Sequence, residues 1–225
     1  MSSKVIIKDN KDIIKQLEEE EIIKGILEYI KNGTFPNNTP DAYMKAYIKI
    51  EEISNAYGDP GCKVLFEYYN KAIQECIEDC YKAISKETKS QLIDSFIKQT
   101  EKINFLIYWM YRIFSFLDRF YTKAKYQNTL SKSAIILYKD YFFNPLENDI
   151  YVEVDKLINE CDLDSKSKIE TILKIISDLD LSAPNIVRKN GIIFWIQKEG
   201  NDEKNETKYQ KKWSDILSKY ETKFK

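Results

Sequence analysis

Between Phe105 and Leu146 the chain reads FLIYWMYRIFSFLDRFYTKAKYQNTLSKSAIILYKDYFFNPL, with no glycine and its one proline almost at the end. Ile103, Leu106, Met110, Ile113, Leu117 and Phe120 recur at steps of three and four, the core stripe of a helix. Leu130, Ala134, Leu137 and Tyr141 repeat the pattern, and Asn144-Pro145 is expected to stop it. The stretch therefore predicts two neighbouring helices, both rich in aromatic residues, joined by a short polar turn. A chain committed to that geometry over so long a span buries its apolar surface helix against helix rather than in a sheet.

The rest of the composition agrees. Six glycines and five prolines in 225 residues are too few for an all-β protein built on many tight turns. Hydrophobic residues at 43% and charged residues at 32% suit a chain with a packed core, long enough for one large domain or two small ones. Lys+Arg at 35 against Asp+Glu at 36, with the signs interspersed, builds no basic field for nucleic acid or an anionic membrane. Neither is expected as a partner. Nothing at the amino terminus reads as a signal peptide and no apolar run reaches membrane-spanning length, so an intracellular, reducing compartment is expected, cytoplasmic or nuclear.

Along the chain, residues 11–31 predict a first helix with Ile13, Leu17, Ile23, Ile26, Leu27 and Ile30 inward and a solvated Glu18–Glu21 run. Thr39-Pro40-Asp41 opens a second: threonine supplies a capping oxygen, proline takes the first helical position, and aspartate meets the positive end of the dipole. Gly58-Asp59-Pro60-Gly61 breaks the chain before a third helix through Val64, Leu65, Tyr68, Tyr69, Ala72, Cys76 and Cys80. The fourth, roughly 89–121, and the fifth, 128–143, are the aromatic pair. Shorter helices follow with Ile150, Val154, Leu157 and Ile158, then with Ile169, Ile172, Leu173 and Ile176. Ile186–Ile196, with Gly191 and the cluster IIFWI, fits either a strand or the start of a helix. A last amphipathic helix carries Tyr209, Trp213, Ile216, Leu217, Tyr220 and Phe224.

Catalytic machinery is hard to assemble from these residues. Histidine is absent, which removes Ser-His-Asp and Cys-His chemistry and every imidazole zinc site. Cys62, Cys76, Cys80 and Cys161 form no CxxC pair, and Cys76 and Cys80 sit one turn apart on an apolar stripe, as small hydrophobes. There is no Gly-rich phosphate loop and no GxSxG, and Glu18–Glu21 and Glu51-Glu52 read as solvated faces. No catalytic residue, cofactor, metal or small-molecule substrate is expected. An interaction module fits better. The second helix places Tyr43, Ala46, Tyr47, Ile50 and Ile53 on one stripe and Met44 and Ile48 on another, so it either lies deep in a bundle or offers one side to a partner.

Three stretches in order carry a family resemblance: Tyr43-Met44-x-x-Tyr47, then Leu65-Phe66-Glu67-Tyr68-Tyr69-Asn70-Lys71, then Ile113–Leu146 with Asp118-Arg119-Phe120, Tyr138-Lys139-Asp140 and Asn144-Pro145-Leu146. Together they resemble the amino-terminal region of cullins, the scaffolds of multisubunit ubiquitin ligases. The resemblance implies an all-α, elongated helical bundle of cullin-repeat type: one five-helix repeat over 1–146, adaptor-binding, and an incomplete second over 147–225. It implies a non-catalytic scaffold whose second and fifth helices grip a BTB-fold, Skp-like adaptor and, through it, a substrate receptor. The gripping residues would be Tyr43, Met44, Tyr47 and Ile50 with Leu130, Ser131 and Ala134; many cullins carry tyrosine where this chain has Ser131. A full cullin continues to a carboxy-terminal region that binds a RING subunit, so a stand-alone chain of this length would act as a decoy. A helical rod of the vesicle-tethering or general scaffold type shares the same periodicity and is the alternative.

Overall fold

The computed structural model describes residues 10–18, 23–26, 28, 40–122, 125, 129–160, 163–179, 187–189, 192–194 and 208–224. The helices are α1 (Asn10–Glu18), α2 (Pro40–Ile84), α3 (Leu92–Leu117), α4 (Leu130–Tyr138), α5 (Asn144–Glu160), α6 (Leu163–Leu179) and α7 (Lys208–Phe224). A short antiparallel pair, β1 (Val187–Lys189) and β2 (Ile192–Phe194), aligns Val187 with Phe194 and Lys189 with Ile192. This answers the ambiguity at 186–196: the described part of the IIFWI cluster is strand. Of the first predicted helix, Leu27 and Ile30 lie outside the described side chains, as do Cys161 and Tyr209.

The break expected at Gly58-Asp59-Pro60-Gly61 takes the form of a kink. α2 is two helical arms joined at Gly58, whose φ of 58° and ψ of −143° lie where only glycine is comfortable. Pro60 then opens the second arm, where its missing N–H is no loss. Gly61 allows a close approach, since a Cβ there would stand 2.6 Å from that of Tyr57. The two arms are the second and third helices of the sequence pattern.

Two compact units emerge. The first joins Met1–Ala83 to Gln99–Phe142. Its core stacks Ala46, Ile50 and Ile53 of the first arm, Leu65, Tyr69 and Ile73 of the second, and Ile103, Leu106, Met110 and Phe114 of α3, all buried. Tyr68 and Tyr69 both pack on Phe114, with centroids 6.2 and 5.6 Å away. The Thr100 and Tyr138 hydroxyls, both buried, meet at 2.7 Å. The second unit joins Ile84–Lys98 to Phe143–Lys225. There Ile150, Val154 and Ile158 of α5 share a core with Ile169, Ile172 and Ile176 of α6 and Trp213 and Ile216 of α7. Trp213 lies between Phe143 and Tyr151, with centroids at 6.4 and 5.8 Å. Lys219 of α7 pairs with Asp155 at 2.6 Å, and the Tyr220 hydroxyl donates to Glu170.

Two π turns, Asp118–Thr122 and Lys139–Phe143, correct the aromatic pattern read from the sequence. Each adds one residue to a helical turn and so sets the following residues back by roughly 100°. Phe120, expected inward, is instead 64% exposed, and Tyr121 and Thr122 are buried in its place. In α4, ahead of the second π turn, Tyr138 follows Leu130 and Ala134 inward by steps of four in place of Leu137, and further on Phe142 and Phe143 are buried while Tyr141 is exposed. Asn144-Pro145 does not stop the chain either: the second π turn runs directly into α5, and Pro145 sits in its first turn, where no helical N–H is required of it.

A candidate aromatic and guanidinium surface

Because Ala46, Ile50 and Ile53 hold the first arm of α2 against the core, the opposite side of that arm must face outward. Met44 and Ile48 stand there at 47% and 44% exposure. Tyr43 and Tyr47 flank them, half-buried, one helical turn apart with ring centroids separated by 6.4 Å. Tyr43 also reaches α3, where its hydroxyl lies 3.4 Å from the Arg112 carbonyl oxygen as a long hydrogen bond.

Arg112 is the centre of the surface on α3. Its guanidinium carbon lies 5.3 Å from the centroid of Tyr43, 5.4 Å from Tyr108 and 5.6 Å from Trp109. One guanidinium nitrogen, Nη1, donates to the Tyr108 hydroxyl, and that bond pushes the Arg112 pKa above its already high value. The group is charged at any physiological pH. Trp109 meets Tyr108 edge-on at 5.5 Å and tilts toward Phe105 at 6.3 Å; further along, Phe116 and Phe120 approach to 4.7 Å. Phe105, Trp109, Arg112 and Phe116 follow one another at steps of four, three and four, so α3 carries a second stripe, partly exposed, beside the one it buries.

Of the residues expected to face a partner, Tyr43, Met44 and Tyr47 come together at this surface, and Ser131 is half-buried at the start of α4. Ile50, Leu130 and Ala134 are placed differently, each at 0% exposure. They cannot touch a partner from these positions, because their side chains fill the core that orients their neighbours. The start of α4 is itself locked in place. The buried Asp118 carboxylate, through Oδ1, accepts the Leu130 N–H at 2.8 Å and the Thr122 hydroxyl at 2.7 Å. Thr129 caps the helix by accepting the Lys132 N–H at 3.1 Å, and the Tyr69 hydroxyl donates to the Leu130 carbonyl at 3.2 Å. Ser133 adds a bond to Asn70 at 2.7 Å.

Sequence reasoning missed Tyr108, Trp109 and Arg112. Their signal was present as the second stripe of the fourth predicted helix, but the first, wholly apolar stripe accounted for that helix and drew no attention to its other side.

The groups gathered at this surface are those of recognition: aromatic rings, a thioether and a guanidinium. Cys62, Cys76 and Cys80 are free and buried. The hydrogen bond between the buried Cys76 and Cys80 thiols pushes Cys76 up and draws Cys80 down. Among the described residues no group of His, Cys, Asp and Glu could hold a metal ion, and no helix is long and apolar enough to cross a membrane. Residues 18–221 match the family model for the cullin alpha solenoid domain. Comparisons with curated proteins and with solved structures return no match.

Proposed function

From the premise that this chain belongs to the cullin family through its alpha solenoid domain, we propose that it docks a BTB-fold, Skp-like adaptor on the Tyr43–Met44–Tyr47 surface. The fold is an all-α cullin solenoid, and the domain is a scaffold rather than a catalyst. The observation that carries the docking reading is the two-sidedness of the first arm of α2. Ala46 and Ile50 are wholly buried, yet Met44 stands 47% exposed between half-buried tyrosines. Methionine and tyrosine held outward side by side on one helix have the composition of an interface core. Residues 1–146 form the adaptor-binding repeat in this reading and residues 147–225 the opening of a second. Its setting is a ubiquitin ligase complex in the cytoplasm, the nucleus or both.

Binding of the purified chain to Skp-type adaptors by titration calorimetry tests this. Replacing Tyr43 and Met44 with alanine should remove about 2 kcal/mol or more of adaptor binding while leaving the helical circular-dichroism signal intact. Unchanged affinity in the double variant would refute the assignment. Supplied alone and in excess to a reconstituted ligase, these 225 residues should inhibit transfer by occupying the adaptor, and added adaptor should relieve the inhibition. Inhibition insensitive to adaptor would count against the competition.

A further inference from the structure

We infer that Arg112, clamped among Tyr43, Tyr108 and Trp109, binds a carboxylate on the docked adaptor, so that the docking surface runs from α2 onto α3. This rests on the docking reading above and gives it a chemistry.

The first support is preorganisation. Three rings within 5.3 to 5.6 Å of the guanidinium carbon hold a long side chain that would otherwise lose much rotamer freedom on binding. The second is unused capacity. A guanidinium has five N–H donors in a fixed fork; Tyr108 takes one from Nη1, and the exposed side leaves room for the paired bonds a carboxylate makes. The third is charge. In this unit the described ion pairs are made by lysines, with Lys49 on Glu52, Lys63 on Glu67, Lys71 on Glu75, Lys82 on Asp79 and Lys125 on Asp59. Among the described residues Arg112 has no carboxylate, although three rings surround it. A fixed, exposed, uncompensated positive charge in an aromatic surround fits an aspartate or glutamate flanked by apolar residues. It does not fit a membrane or nucleic acid, which need many cations together.

Three variants of the intact chain separate the possibilities: Arg112→Gln, Arg112→Lys and Tyr43→Ala/Met44→Ala. Each is titrated with a Skp-type adaptor at low and high salt. Arg112→Gln should weaken binding about tenfold at low salt and flatten the salt dependence. Arg112→Lys should keep the salt dependence but recover only part of the affinity, because an ammonium cannot form the fork. If Arg112→Gln binds as the wild type does while Tyr43→Ala/Met44→Ala fails, docking stands and the carboxylate reading falls. If no adaptor binds even the wild type, docking falls, and a short Asp/Glu-rich peptide with a central phenylalanine becomes the probe. The Arg112 Nε–H resonance should then shift with that peptide, and not with its lysine-substituted counterpart. No shift overturns the proposal. Light scattering covers a last case: a dimer of this chain that Arg112→Gln dissolves would place a second copy on the surface and overturn it too.

Discussion

Gly58 and Gly61 set the course of α2 for different reasons, and substitution separates them. Nothing lies within 4 Å of a Cβ built on Gly58, so Gly58→Ala meets no clash and pays only for its φ of 58°. A non-glycine residue in such a region costs on the order of 1–3 kcal/mol, and we expect a loss of about 1–2 kcal/mol in urea unfolding. Gly61 has an ordinary helical role, but its Cβ would lie 2.6 Å from that of Tyr57 and 3.1 Å from the Ile53 carbonyl oxygen. Neither is the free end of a flexible side chain. Gly61→Ala should therefore cost more, roughly 2–3 kcal/mol, despite alanine's better helix propensity. Equal losses at the two positions would mean that steric approach at Gly61 is relieved by a shift of the arms.

α4 depends on a carboxylate from outside it. Asp118 Oδ1 accepts both the Leu130 amide and the Thr122 hydroxyl, closing the π turn and the helix start with one group. Removing it by Asp118→Ala leaves two buried donors without that acceptor, and we expect thermal unfolding to report a loss of about 2–3 kcal/mol. Asp118→Asn keeps an acceptor oxygen and should cost less, about 1 kcal/mol. The same arrangement holds the start of α4 with Leu130 buried and Ser131 half-buried beside it. The two π turns act at this scale as well. By adding one residue each they bring Thr122 and Phe143 inward beside Tyr121 and Phe142, and Phe120 and Tyr141 stay exposed.

Across the whole chain, stability should fail on the alkaline side. Burial pushes the Tyr68 hydroxyl up from 10.0 to about 12, and burial moves Tyr69 and Tyr220 in the same direction. With the folded pKa above the unfolded one, the folded state keeps its proton where the unfolded state has lost it. Stability from this source is complete below pH 10.0 and falls as pH rises toward about 12 and beyond. Urea midpoints taken across that window, with tyrosinate absorbance followed alongside, should show the fall. A constant midpoint would mean that these hydroxyls gain solvent before they ionise. The two units contribute separately, Tyr68 and Tyr69 from the first and Tyr220 from the second.

The helical class and most of the buried stripes were legible without coordinates. The run from Val64 to Cys80 and Ile103 through Leu117 follow from spacing alone, because a regular helix has one period and a core selects one side of it. An interruption at Gly58-Asp59-Pro60-Gly61 was equally legible, since glycine and proline act on their own backbone, while its form as a kink was not. The family match over residues 18–221 agrees with the motifs at Tyr43, Leu65 and Ile113 that carried the resemblance. What escaped was set by contacts between distant segments. A π turn has no sequence period of its own, so the inward placement of Thr122 and Phe143 depended on what packed against them. Ile50, Leu130 and Ala134 are indistinguishable from interface residues until neighbouring helices cover them. The Arg112 cluster required Tyr43, from another helix, to lie beside it. Spacing along a chain fixes which residues share a face, and only the assembled helices determine which faces remain open to water.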